Sequence, residues 1–390
     1  MNKLIEQVHE RSIREAERLA GAGAVVTIQA DTAAEAIVVA RLTMERLPAS
    51  TRIAALDVTR CASTAAFCKE FARAVVGLYL RDIEWLEHRQ EQWPAEVTEG
   101  LLELGDATGG GLIHAVLAKR EDDEGSPELF AAAVDALVRL SASGQRVALA
   151  LLGADELVPQ RARRGALHGV DELLWTFRGR LQHAIEEPGL LLAGSDVIGE
   201  LTADESAAFF GWGTTIALRN VPQLAETIGR MLTKDGVAPS VASRWAAEIE
   251  QRCEGSVLTA ERLLELTLSE SRAGSVDVAA VGVAWRRLRE LTDDACRQQA
   301  RTMRSTDRLA LAVALAIAHG RPPYGVDRFP SGPNKALTRL HEAGFVVQHA
   351  PRSWRLTDPV LACWLRESAV ASEHDRERNP RYADSDHRQR

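Results

Sequence analysis

The chain has 390 residues, enough for two or three domains. Apolar residues make up 46% and charged ones 26%, the balance of an ordinary water-soluble globular protein, and no apolar run approaches the roughly 18–20 residues of a membrane span. The net charge of −8 is uneven: residues 301–390 hold 15 Lys and Arg against 10 Asp and Glu, a net of +5, which leaves −13 for the rest. An acidic body with a basic end fits either a partner that touches only that end or an arginine-rich tail.

The first twenty residues read as one amphipathic, charged helix with no apolar core and no cleavage site, so they are not a signal peptide. Five scattered cysteines, with no CxxC and no Cys/His cluster, predict a reduced cytoplasmic protein without structural zinc. After the Gly21–Gly23 punctuation, Ala24–Ile28 is a short β-branched run and reads as a buried strand. Helical periodicity covers 32–47, and Arg52–Val58 is a second strand; strand, helix, strand at this spacing is a βαβ unit of a parallel sheet. Residues 62–104 are mainly helical and carry Trp85 and Trp93. Asp106–Gly111 and Lys119–Ser126 are loops. A helix over 127–141 leads into the strand Val147–Leu152, a helix over 171–185 into the strand Gly189–Ser195, and Thr214–Leu218 is the last strand. This alternation predicts a doubly wound α/β domain over 1–222. Residues 223–300 read as helical throughout, 301–371 as a further domain, and 372–390 as a polar, disordered tail.

A phosphate-binding loop needs GxxxxGK[ST] between its first strand and helix. Glycines let the backbone wrap the phosphates, the lysine neutralises them and the hydroxyl binds magnesium. Between the strand and helix here stands Gln29-Ala-Asp-Thr-Ala-Ala34-Glu35-Ala36. Gln29 and Ala34 take the glycine positions, Glu35 the lysine position and Ala36 the hydroxyl position. A carboxylate about 4 Å from a phosphate charge costs about 4 kcal/mol at an effective dielectric near 20, and alanine cannot hold magnesium. Taken alone, the segment reads better as the βα unit of another doubly wound fold than as a phosphate-binding loop.

Three further stretches carry a family resemblance. Val147–Leu157, with the acidic pair Asp155-Glu156, resembles a Walker B strand; the same pair also suits a helix N-terminus. Leu190–Pro222 resembles a sensor strand with its Gly-Ser turn at Ser195. Arg308–Arg366 resembles a winged helix, closing on Thr357–Leu365. In this order the segments resemble the archaeal-type ATPases of the STAND and AAA+ world, relatives of the origin-recognition ATPases. The resemblance implies a P-loop-type three-layer α/β domain with a helical lid and a C-terminal winged helix. It also exposes departures: Trp212 stands where the family usually has an arginine, and the segment from Cys253 lacks the basic residue that often follows its glycine. ATP and magnesium are therefore not expected as cofactors unless the pocket is unconventional.

Within the winged-helix stretch, Ser331 and Pro333 open a helix whose apolar stripe is Ala336, Leu337 and Leu340. Asn334, Lys335, Thr338, Arg339 and His341 face elsewhere, and two short strands joined around Arg352 follow, with Arg355 on the second. Such a helix enters the major groove in DNA-binding relatives, with the hairpin on the backbone, but winged helices also serve as protein-contact modules. No HExxH or GxSxG motif is present, and Gly194-Ser195-Asp196 reads as a turn rather than a nucleophile. Trp175, Trp245, Trp285, Trp354 and Trp364 read as core. The sequence thus predicts a non-catalytic pseudo-ATPase that binds double-stranded DNA or partner proteins, with homo-oligomerisation open. A nucleotide switch with an altered pocket and a protein-only scaffold are the alternatives.

Overall fold

A computed structural model describes residues 2–80, 126–158, 167–182, 184, 187–203, 205, 207–218, 224–272, 279–326, 331–350 and 352–367. Trp85, Trp93, the Asp106–Gly111 loop, the loop up to Gly125, Pro222, the side chain of Ser331 and the tail from 372 lie outside them. The chain forms two compact units, His9–Arg219 and a second made of Met1–Val8 with Asn220–Arg390.

The expected single N-terminal helix is broken at His9 into α1 (Lys3–Val8) and α2 (Glu10–Gly21), one in each unit. The amphipathic pattern runs through the break because both halves bury a stripe, α1 through Leu4 and Ile5 and α2 through Ile13, Ala16 and Ala20.

The α/β unit continues with β1 (Val25–Ala30), α3 (Ala33–Arg46), β2 (Arg52–Asp57), α4 (Thr64–Leu80), α5 (Pro127–Ala142), β3 (Val147–Leu152), α6 (Val170–Leu181), β4 (Gly189–Ser195) and β5 (Thr214–Leu218). The strands make one parallel sheet in the order β2-β3-β4-β1-β5. Every residue of β3 and β4 is buried, which explains their unbroken apolar runs: a parallel strand between two helical layers has no wet face. Alternate residues serve the two faces. Leu149, Leu151, Leu190 and Leu192 join the cluster of α4, α5 and α6, built around Phe67, Phe71, Phe130 and Phe177. Helices α2 and α3 pack with β1 and β4. Local chemistry fixes the ends: Ser126 accepts from the Leu129 amide with Pro127 in the first turn of α5. Gly23 turns the chain at φ +81°, where a Cβ would come within 2.4 Å of the Glu187 carbonyl.

The second unit contains α7 (Leu224–Lys234), α8 (Pro239–Cys253), α9 (Val257–Arg272), α10 (Ala280–Thr306), α11 (Ala310–Ala318), α12 (Ser331–Glu342), the antiparallel hairpin β6 (Val346–Ala350) and β7 (Ser353–Leu356), and a final helix over 359–367. Helix α1 docks on α7 and α9, where the buried Glu261 carboxylate accepts the Leu4 and Ile5 amides at 3.3 and 3.1 Å. That carboxylate satisfies two of the orphan donors of a helix start. The boundary expected at 300 falls inside α10, one continuous helix of 27 residues.

The tryptophans divide. Trp245 and Trp285 are core, Trp354 and Trp364 are half-buried, and Trp175, expected inside, is 44% exposed on α6 with the Arg178 guanidinium over its ring.

Candidate functional site

β1 stays paired to both neighbours through Ala30, opposite Ser195 and Leu218, and α3 begins at Ala33. Only Asp31 and Thr32 connect them. A phosphate cradle turns successive backbone amides inward through a left-handed residue, yet none of residues 24–36 has a positive φ. Thr32 instead caps α3 from extended backbone, its Oγ1 accepting the Glu35 amide at 3.3 Å. One amide that could have met an anion is thereby satisfied within the chain.

The residues at the motif positions have structural work. Gln29 lies within β1, and its amide nitrogen rests against Gly199, where a Cβ would approach to 2.9 Å. Ala34 is exposed in the first turn of α3, and Ala36 is fully buried. Glu35, at the lysine position, is 6% exposed and accepts from His9 Nε2 at 2.8 Å, with His9 itself 5% exposed. Burial of a carboxylate demands such a partner.

The acidic pair follows β3 on a short 3₁₀ turn, Ala154–Leu157. Asp155 is 2% exposed and grips the end of β4: the Ser195 amide donates to Oδ1 and Oδ2 at 2.9 and 3.1 Å, and the Ser195 hydroxyl donates to Oδ1. The glycine before that serine is required by the grip, since a Cβ on Gly194 would stand 2.6 Å from Asp155 Oδ2. Gly194-Ser195 is therefore the receptor for a carboxylate on the turn that follows the neighbouring strand. Glu156 is half-buried beside it. Trp212, where an arginine was expected by resemblance, stacks on Phe209 with centroids 5.7 Å apart, and Phe209 meets Phe177 edge-on at 6.3 Å. The tryptophan thus extends the aromatic core.

These residues do not fit a magnesium–nucleotide. The lysine position is a buried carboxylate with a histidine partner, the turn has no cradle, and the Walker B-like aspartate is bound to Ser195. Burial also disfavours the thiolate form of the described cysteines. Burial pushes Cys61 up to about 12 and Cys68 and Cys296 up to about 11, and it raises Cys253 and Cys363 as well. Among the described residues no group of three or more His, Cys, Asp or Glu is placed to hold a metal ion, and no helix is long and apolar enough to cross a membrane.

The candidate nucleic-acid residues separate into two sets. Asn334, Lys335 and Thr338 are exposed on α12, and Arg352 is exposed in the β6–β7 turn with φ +63°. Arg339 is committed elsewhere: its Nη1 donates to the Thr306 carbonyl at 3.0 Å and to Asp307 at 2.8 Å, joining α12 to the end of α10. His341 Nδ1 meets the Val346 carbonyl at 3.1 Å and its ring packs edge-on against Trp354. Arg355 Nη1 donates to the Glu254 carbonyl at 2.7 Å, at the end of α8. These three half-exposed side chains each bond to the unit's own framework.

No protein-family model matches the sequence, and no curated protein does. Among solved structures the chain is similar to the Aeropyrum pernix ORC2 protein in its ADPNP–ADP complexes, with 13% identity, 94% of this chain and 95% of that chain covered, and a TM-score of 0.52. The ADP form of the same protein matches at 13% identity, 94% of each chain and a TM-score of 0.46. The former likeness establishes the fold: an ORC-like α/β body with a parallel sheet, continued by a helical unit.

Proposed function

We propose that this chain is a degenerate member of the STAND and AAA+ class, a non-catalytic pseudo-ATPase that keeps the fold as a frame and acts through its C-terminal winged helix. The observation that carries the reading is the buried His9–Glu35 contact behind a two-residue turn, in the place of a lysine and a phosphate cradle. Calorimetry with ATP and magnesium tests it. No heat of binding is expected; a micromolar dissociation constant, or turnover that disappears in Asp155→Ala, overturns it.

The partner we favour is duplex DNA, met by Asn334, Lys335 and Thr338 on α12 and by Arg352 on the hairpin, within a multiprotein DNA transaction, defence or regulatory system. Exposed polar and cationic side chains on a helix followed by a hairpin suit groove and backbone contacts. Fluorescence anisotropy with labelled duplexes across a salt series is the test: affinity falling steeply with salt supports phosphate contacts, and no binding at low salt excludes them. A protein-contact role draws support from a different place, the exposed Trp175 and Phe210 of the α/β unit. Trp175→Ala is then expected to weaken self-association or partner assembly, read by sedimentation, without affecting DNA binding.

A further inference from the structure

The last three turns of α10 are strongly sided. Cys296, Ala300 and Met303 form the buried stripe. About a quarter to a third of the way around the helix, Arg297, Arg301 and Arg304 form a row at i, i+4 and i+7, all exposed, and Arg308 is exposed just beyond the helix end. No acidic residue occurs between Asp294 and Asp307.

The first half of the same helix is built differently. Arg287 pairs with Glu270 from α9, Arg289 with Glu367 from the final helix, and Arg297 itself reaches back to Asp293. Beyond that point the cations continue and the acids stop. Like charges one turn apart disfavour a helix. The helix dipole rewards cations only in the last turn, which accounts for Arg304 but not for Arg297 and Arg301. Solubility alone is better served by mixed signs. Arg297 has Asp293 one turn before it, but Arg301 and Arg304 have no acid on the preceding turn, and such cations suit an external polyanion.

Its dimensions select the polyanion. Seven residues separate Arg297 from Arg304, about 10 Å along a helix axis. One strand of duplex DNA presents about three phosphates over that length. The row also lies in the same unit as the exposed Lys335, which sits one turn before Arg339 on α12, and Arg339 is the residue bound to Thr306 and Asp307 at the end of α10.

We propose that Arg297, Arg301 and Arg304 form a sequence-independent track for the phosphate backbone of duplex DNA, in the same unit as Lys335. This rests on the DNA-binding reading above, and adds to it a second contact surface outside α12 and the hairpin.

The experiment uses the full chain and labelled duplexes of several unrelated sequences, titrated from about 50 to about 200 mM salt. In Arg301→Ala/Arg304→Ala the slope of log affinity against log salt is expected to fall by about two, equally for every sequence, so that the loss of affinity over that range shrinks roughly tenfold. The more conservative Arg301→Gln/Arg304→Gln pair should behave alike, and neither pair should lower the melting temperature. An unchanged slope in both pairs, with wild-type binding intact, overturns the track while leaving the α12 reading standing. That outcome also covers a row that serves an acidic protein instead. If the wild-type chain binds no duplex at low salt, both the DNA reading and the track fall together.

Discussion

Glu35 lies in the first turn of α3, where an acidic residue is favourable to the helix, and its side chain is sealed under His9. Restoring the motif by Glu35→Lys should therefore not restore nucleotide binding. It would set a cation against His9 in a dry site, without the cradle, and is expected to cost about 3–5 kcal/mol of stability. Chemical denaturation and calorimetry on the same variant check both halves of that statement. Asp155 behaves as a fastener of β3 to β4. In Asp155→Ala the Ser195 amide and hydroxyl lose their acceptor inside the core, with an expected loss of about 2–3 kcal/mol, measurable by denaturant unfolding. The sequence marked Asp155 and Ser195 as a pair of motif remnants, but not that they hold each other, since 40 residues separate them.

At the scale of elements, what was legible was whatever burial writes into a short stretch. β3, β4 and β5 were readable to the residue because a strand walled on both faces or paired at a sheet edge must be apolar or β-branched along a bounded run. The break at His9 was not, because α1 and α2 keep a continuous amphipathic pattern while docking on different units. Trp175 misled for a related reason: it sits on an amphipathic helix but off the stripe formed by Val170, Leu173, Leu174, Phe177 and Leu181. The roles of Arg339 and Arg355 depend on partners 32 and 101 residues away, beyond any local pattern. This yields a test of element docking. Arg339→Ala should loosen α12 from the end of α10 and lower stability by about 1 kcal/mol. It should leave the salt slope of any DNA binding unchanged, which thermal melts and anisotropy would read separately.

For the whole molecule, the chain passes between its two units twice, at Val8–His9 and at Arg219–Asn220. Residues 1–8 belong structurally to the unit that is distant in sequence. Deleting residues 2–8 should therefore weaken the C-terminal unit and spare the α/β unit that follows them in sequence. Full burial of Leu4 and Ile5 is worth about 3–5 kcal/mol as an upper value. Hydrogen exchange should show the loss of protection in α7 and α9, with β1 to β5 unaffected. Equal loss across the sheet would contradict the assignment of α1.

The docking of α1 also has a consequence in time. Leu4 and Ile5 are made before the whole α/β unit, while Glu261, which receives their amides, is made 257 and 256 residues later. At roughly 5–20 residues per second, the six-residue helix waits roughly 10–50 s for its seat. A helix that short does not hold its shape alone, so two large apolar side chains stay uncovered while the α/β unit is completed behind them. A segment made ahead of the α/β unit is thus reserved for the unit made after it.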